Sequence, residues 1–108
     1  MYDVFDPAWN TTTAVTNSAS ATAAVAMPHS ASSVLITNTS TTARVHISMT
    51  YYPNGIISGS GTAPTTTGFL PVMPGGQIRV ALPIGTKVLR TIATAADGTT
   101  FLTPGRGG

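Results

Sequence analysis

The chain has 108 residues, of which 42 % are hydrophobic and 7 % charged, against roughly 25 % charged in an ordinary globular protein. The three acids are Asp3, Asp6 and Asp97, and there is no Glu and no Cys, which excludes a disulfide scaffold and thiolate chemistry. The net charge of +2 comes from scattered cations with no Lys/Arg run, so electrostatic capture of a phosphate backbone would be weak.

Residues 1–10 stand apart, because Tyr2, Phe5 and Trp9 are three of the seven aromatic residues. Asp6-Pro7 reads as a helix N-cap followed by Pro at the first helical position, so one short helical turn is expected there. The N-terminus has no basic stretch followed by an apolar one, so no secretory signal is expected. Residues 11–33 are rich in Thr, Ser and Ala; Ala21, Ala23, Val25 and Met27 can share one strand face before Pro28 ends the run.

The middle of the chain is better patterned. SVLITN (33–38) is a short strand followed by a polar turn. In ARVHISMTYY (43–52), Val45, Ile47, Met49 and Tyr51 point one way and Arg44, His46, Ser48 and Thr50 the other. Asn54-Gly55 closes that strand, since both tolerate the positive φ of a tight turn. Residues 56–67 form a flexible loop of Gly, Ser, Pro and Thr led by Ile56 and Ile57. GFLPVM (68–73) is an edge or interrupted strand, because Pro71 has no ladder donor.

The C-terminal third alternates strands with turns. Pro74-Gly75-Gly76 is a hairpin turn, QIRVAL (77–82) a strand and Pro83–Thr86 a second turn. KVLRTIAT (87–94) is apolar on both faces, as in a two-sided buried strand or an interface. Asp97-Gly98 is a strong hairpin signal before TTFLTP (99–104), the last strand. About seven or eight short strands roughly ten residues apart, and no amphipathic helix, predict an all-β fold. The expected architecture is a single antiparallel β-sandwich, jelly-roll-like or immunoglobulin-like, over residues 11–108, with 1–10 as an aromatic arm. No apolar run approaches the 18 or so residues of a membrane-spanning helix.

Chemistry is sparse. A catalytic triad needs a His held by a carboxylate beside a hydroxyl. His46 is expected on the solvated face of a strand and His29 in a loop, with no Asp placed beside either by sequence. No His pair has metal-ligand spacing, so neither metal nor cofactor is expected, and the chain does not read as an enzyme. Arg44, Arg79, Lys87 and Arg90 could form a basic stripe, but only Tyr52 could stack a base beside it, so no specific nucleic-acid partner is expected. Pro74-Gly75-Gly76 precedes a strand rather than a helix, so it is no phosphate loop. The aromatics of the arm either plug one end of the sandwich or dock on a neighbouring subunit, as aromatic hot-spot residues do.

Three stretches, TNTSTTARVHISM, FLPVMPGGQIRVALPIGTKVL and DGTTFLTPGRGG, resemble the small Thr- and Ala-rich β-sandwich proteins of tailed-phage virions. The matching positions are Val34–Asn38, Ala43–Tyr51, Val72–Gly75 and Gly98–Gly107, about two thirds of the chain from Ser33 onward. The chain departs from that pattern at Arg106, where such proteins tend to carry an acid. Several of them are capsid decoration (cement) proteins, which bind the outside of the icosahedral shell and stabilise it. The resemblance implies a virion protein at the capsid surface, made in the host cytoplasm. Its partners would be the major capsid protein and neighbouring copies of itself, in a homo-dimer or homo-trimer, with no membrane. The expected contact residues are Tyr2, Phe5 and Trp9 of the arm and Ile56 and Ile57 of the loop. The competing reading is a carbohydrate- or receptor-binding module of a phage fibre or adhesin, built on Trp9 with Asp3, Asp6 or Asn10.

Overall fold

The computed structural model describes residues 6–7, 12–59 and 61–106. Nine strands and no helix form among them: β1 Asp6–Pro7, β2 Thr13–Thr16, β3 Val25–Met27, β4 Ser33–Asn38, β5 Val45–Tyr52, β6 Leu70–Val72, β7 Gln77–Ala81, β8 Thr86–Ala93 and β9 Thr99–Arg106. One sheet has the order β1-β9-β4-β7, with β2 also on β9; the other has the order β3-β8-β5-β6. Every pairing is antiparallel.

The pairings are nested. Thr13 faces Leu102, Val25 faces Leu89, Ser33 faces Ala81 and Val45 faces Val72. Each pair brackets nearly the same midpoint, close to Ile57. The chain is thus one long antiparallel ribbon folded at its middle, then rolled so that successive segments alternate between two sheets. That is the jelly roll, and it resolves the choice left open by strand spacing.

Two local expectations are corrected. Asp6-Pro7 does not start a helical turn; it lies opposite Arg106 and Gly105 as β1, at the edge of a sheet. Proline costs least at an edge, where its missing N–H leaves no ladder bond unmade. The turns at Pro74–Gly76 and Asp97-Gly98 are tight, with Gly76 N–H donating to Met73 O at 2.8 Å, but they close no hairpins. Each passes the chain from one sheet to the other. Turn residues set a local reversal; burial decides which strands pair.

The core lies between the sheets and includes Val34, Ile36, Val45, Ile47, Leu89 and Leu102. Burying such a side chain contributes about 1.5–3 kcal/mol. Strand β8 is covered on both faces, as its apolar sequence predicts: Lys87, Val88, Leu89, Thr91 and Ala93 are all buried. Of the run from Ala21 to Met27, only Val25–Met27 forms a strand; Thr22 reaches β8 through its N–H, 2.8 Å from Thr91 O.

One end of the sandwich is sealed by a polar network. Asn38 donates from Nδ2 to Ala43 O at 2.8 Å and Val72 O at 3.2 Å. Its Oδ1 accepts from Ser40 N at 3.0 Å and Asn17 Nδ2 at 3.3 Å. Asn17 also donates to Asp97 O at 2.8 Å and accepts from Thr100 Oγ1 at 2.7 Å. The Asp97 carboxylate accepts from Ser40 Oγ at 2.6 Å and Thr42 Oγ1 at 2.9 Å, and these hydroxyls hold its carboxyl below the ordinary carboxylate range. No buried side-chain polar atom among the described residues lacks a partner. Gly98, at φ +81°, fits against this network because a Cβ there would stand 2.7 Å from the Ser40 Cα.

Candidate functional site

Strand β5 outruns its neighbour. It has eight residues while β6 has three, and β6 pairs only with Val45, His46 and Ile47. Met49 and Tyr51 continue the inward face of Val45 and Ile47 but leave the core, at 41 % and 42 % exposure. On the facing sheet, β4 supplies Val34 and Ile36, and β7 with its following turn supplies Val80 and Leu82. Between them lies a cleft of about 170 Å³, with Met49 and Leu70 both lining it and exposed. Ser48 is the one polar side chain along it, and its hydroxyl is spent elsewhere, donating to Thr62 O at 2.6 Å. The cleft can hold an apolar group; it presents no nucleophile, acid or base.

The opposite face of β5 does a different job. His46 was expected in solvent but is only 5 % exposed. The segment between β5 and β6 crosses this face as a strap, gripped by its main-chain carbonyls. Arg44 Nη2 donates to Thr66 O at 3.2 Å, Arg90 Nη1 to Gly61 O at 3.3 Å and Tyr52 Oη to Ser58 O at 3.2 Å. His46 Nδ1 lies 2.6 Å from Gly68 O, which can only accept, so Nδ1 carries the proton and Nε2 accepts from Arg44 Nε at 2.7 Å. The strap's composition suits this. Residues of Gly, Ser, Pro and Thr bring little apolar area to bury, and their carbonyls satisfy the donors on the strand. Expected as a flexible loop, the segment is tied at five carbonyls.

The anticipated contact residues divide. Ile56 and Ile57 project from the start of the strap, Ile56 at 66 % exposure. Tyr2, Phe5 and Trp9 lie outside the described residues. The basic stripe does not form. Arg79 belongs to the other sheet, Arg44 and Arg90 hold the strap, and Lys87 faces the interior with 0 % exposure. Its Nζ donates to Ala31 O at 2.6 Å and His29 O at 3.2 Å, and desolvation lowers its pKa from the ordinary lysine value. No group of three His or Asp residues comes together among the described residues.

Met49 and Tyr51 are missed as surface residues because strand alternation puts them on the face of Val45 and Ile47. A signal was present: the apolar alternation of β5 runs four residues past what the Pro71-bearing strand can cover. Comparison of the chain with protein-family models, with curated proteins and with solved structures finds no match.

Proposed function

We propose that this chain is a structural virion protein of a tailed phage, a capsid decoration protein that binds the outer shell and stabilises it. The observation that carries this reading is the apolar material left outside the core: the cleft with Met49, Leu70 and Tyr51 at one place and Ile56 with Ile57 at another. A protein that cements a shell needs no titratable dyad. It needs a rigid domain and apolar area to bury, and a standard interface of roughly 1,600 Å² suffices. Jelly rolls recur in viral capsid and lectin domains, but fold transfers function weakly, so the weight rests on the sequence motifs and on these exposed side chains. On this reading the chain catalyses no reaction, and its partners are the major capsid protein and its own neighbours.

Gradient sedimentation of the purified protein with capsid shells tests the proposal. Co-migration in hundreds of copies per particle is the expected result, together with shells that survive higher temperature. A few copies per particle would assign a vertex or tail role instead. No co-migration, with quenching of Trp9 fluorescence by a glycan, would replace this reading with the carbohydrate-binding one.

A further inference from the structure

We infer that the five residues of β5 beyond β6, Ser48–Tyr52, take up an extended segment of a partner polypeptide, which pairs with them antiparallel and places one apolar side chain in the cleft. This names a main-chain site that shell binding as such does not require, and it does not depend on shell binding.

The main chain comes first. Pro71 stands opposite His46 in the β5–β6 ladder and has no N–H, so the hydrogen-bonded pairs on this edge are Val45 with Val72 and Ile47 with Leu70. Main-chain groups alternate between the two edges along a strand, so Met49 and Tyr51 turn their N–H and C=O to the same edge as Val45 and Ile47. β8 takes the other edge as far as Tyr52 with no break in register, so no bulge turns these groups away. Among the described residues nothing pairs with them on the open side. Two donors and two acceptors are left at the spacing of an antiparallel ladder.

The chain itself keeps the lane beside them empty. Continuing the β5–β6 register would set Gly68 opposite Met49. Instead Phe69 stands at φ +64°, a left-handed conformation that is costly for an aromatic residue, and turns the chain out of the lane. Gly68 O then meets His46 Nδ1 on the outer face of β5. Sheet edges are ordinarily blunted by charge, by proline or by a bulge. Ser48–Tyr52 carries none of these.

The surroundings then select the occupant. The cleft opens at this lane, with Met49 and Leu70 on one side and Val80 and Leu82 on the other. A dry apolar cavity of about 150 Å³ takes up benzene, so about 170 Å³ suits one side chain of Leu or Phe size. No residue lining it is charged, so a charged side chain entering there would lose water and gain no partner. β4 and β5 face each other across the cleft, and β7 and β6 are their outer neighbours, so β7 underlies the lane. A second sandwich offering its own β5 edge would therefore drive its facing sheet into β7. A single extended segment fits where a sheet edge does not. Strand addition of this kind draws affinity from the main chain and specificity from a pocket for alternate side chains.

The test is a capped peptide, Thr-Val-Thr-Leu-Thr, titrated into the isotope-labelled full-length chain and followed by NMR. Saturable binding is expected, with hydrogen exchange at the Met49 and Tyr51 amides slowed about tenfold or more once the site is filled. The same peptide N-methylated at Val and Leu keeps both side chains and loses both donors, and it should bind about tenfold more weakly or worse. Met49→Lys sets a charge at a half-exposed position on the edge and should weaken the unmethylated peptide by a similar factor. Equal affinity for the methylated peptide would mean that the cleft takes an apolar group with no ladder, and would overturn the inference. So would binding that leaves the two amides unprotected, or no binding. Since shells are absent, these failures leave shell binding untouched, and a failure of shell binding leaves the peptide result standing.

Discussion

The two ends of the sandwich are finished in opposite ways. At the Asn38 end, side-chain amides and hydroxyls close the gap between turns, and every buried group meets a partner. At the Met49 end, β5 runs past β6, and Met49 and Leu70 stay half-exposed at a cleft instead of packing against the facing sheet. The sealed end is where the fold is specified, because an amide network accepts one arrangement of its turns and no other. The unsealed end leaves apolar area that the fold does not bury. A half-exposed Met contributes less to folding than a buried one.

That contrast can be broken at the sealed end first. Asn38→Ala removes both halves of the carboxamide and strands Ala43 O, Val72 O and Ser40 N in a buried place. A loss of about 3–4 kcal/mol is expected in denaturant unfolding; a loss under 1 kcal/mol would mean that water replaces the amide. Gly98→Ala comes next, at about 3 kcal/mol, because left-handed strain adds to a clash with backbone. Gly59→Ala is its control: at φ +71° with nothing within 4 Å it should cost only the strain, about 1–2 kcal/mol. Equal costs at the two glycines would remove the claim that Gly98 is fitted against Ser40. At the unsealed end, Met49→Ala should cost about 1 kcal/mol or less, since much of the side chain already faces solvent.

The smallest effects are in pH, and both make stability rise with pH, in an acid window for Asp97 and an alkaline one for Lys87. Asp97 has a folded pKa below 3.8, so it stabilises the fold above that value and the contribution is lost as pH falls through the folded pKa. Asp97→Asn should flatten the acid limb of a stability–pH curve. Lys87 has a folded pKa below 10.5, so between the two values the unfolded chain holds a proton that the folded chain has released. Stability from this group therefore rises with pH in that window, and Lys87→Met should remove the rise. An alkaline limb identical in the variant would show that the buried amine relaxes toward solvent.

Local chemistry made the strands legible and left their pairing hidden. The alternation in Val45–Tyr51, the two-faced burial of β8 and the edge position of the Pro71 strand could all be read from residue order. The jelly roll could not be separated from the immunoglobulin-like sandwich, because partners such as Thr13 and Leu102 are remote and no turn signal spans them. His46 was placed in solvent for the same reason. Its cover, the strap ending at Gly68, carries no apolar pattern, and its carbonyls are invisible to any reading of side chains. The exposure of Ile56 and Ile57 is legible because they are apolar within a polar loop, and that of Met49 is not, because it is apolar within an apolar pattern.

The nested ribbon has a consequence for how the protein is made. Every ladder joins a strand from β1–β5 to one from β6–β9, so no two strands of the first half pair with each other. On a ribosome, residues 1–58 emerge with no partner available, and β2 waits for β9, the last strand synthesised. Such non-local closure makes folding slow, and it leaves Val34–Ile36 and Val45–Ile47 bare until the second half arrives. Cut at the strap, the two halves should each stay unstructured alone and recover the sandwich only when mixed.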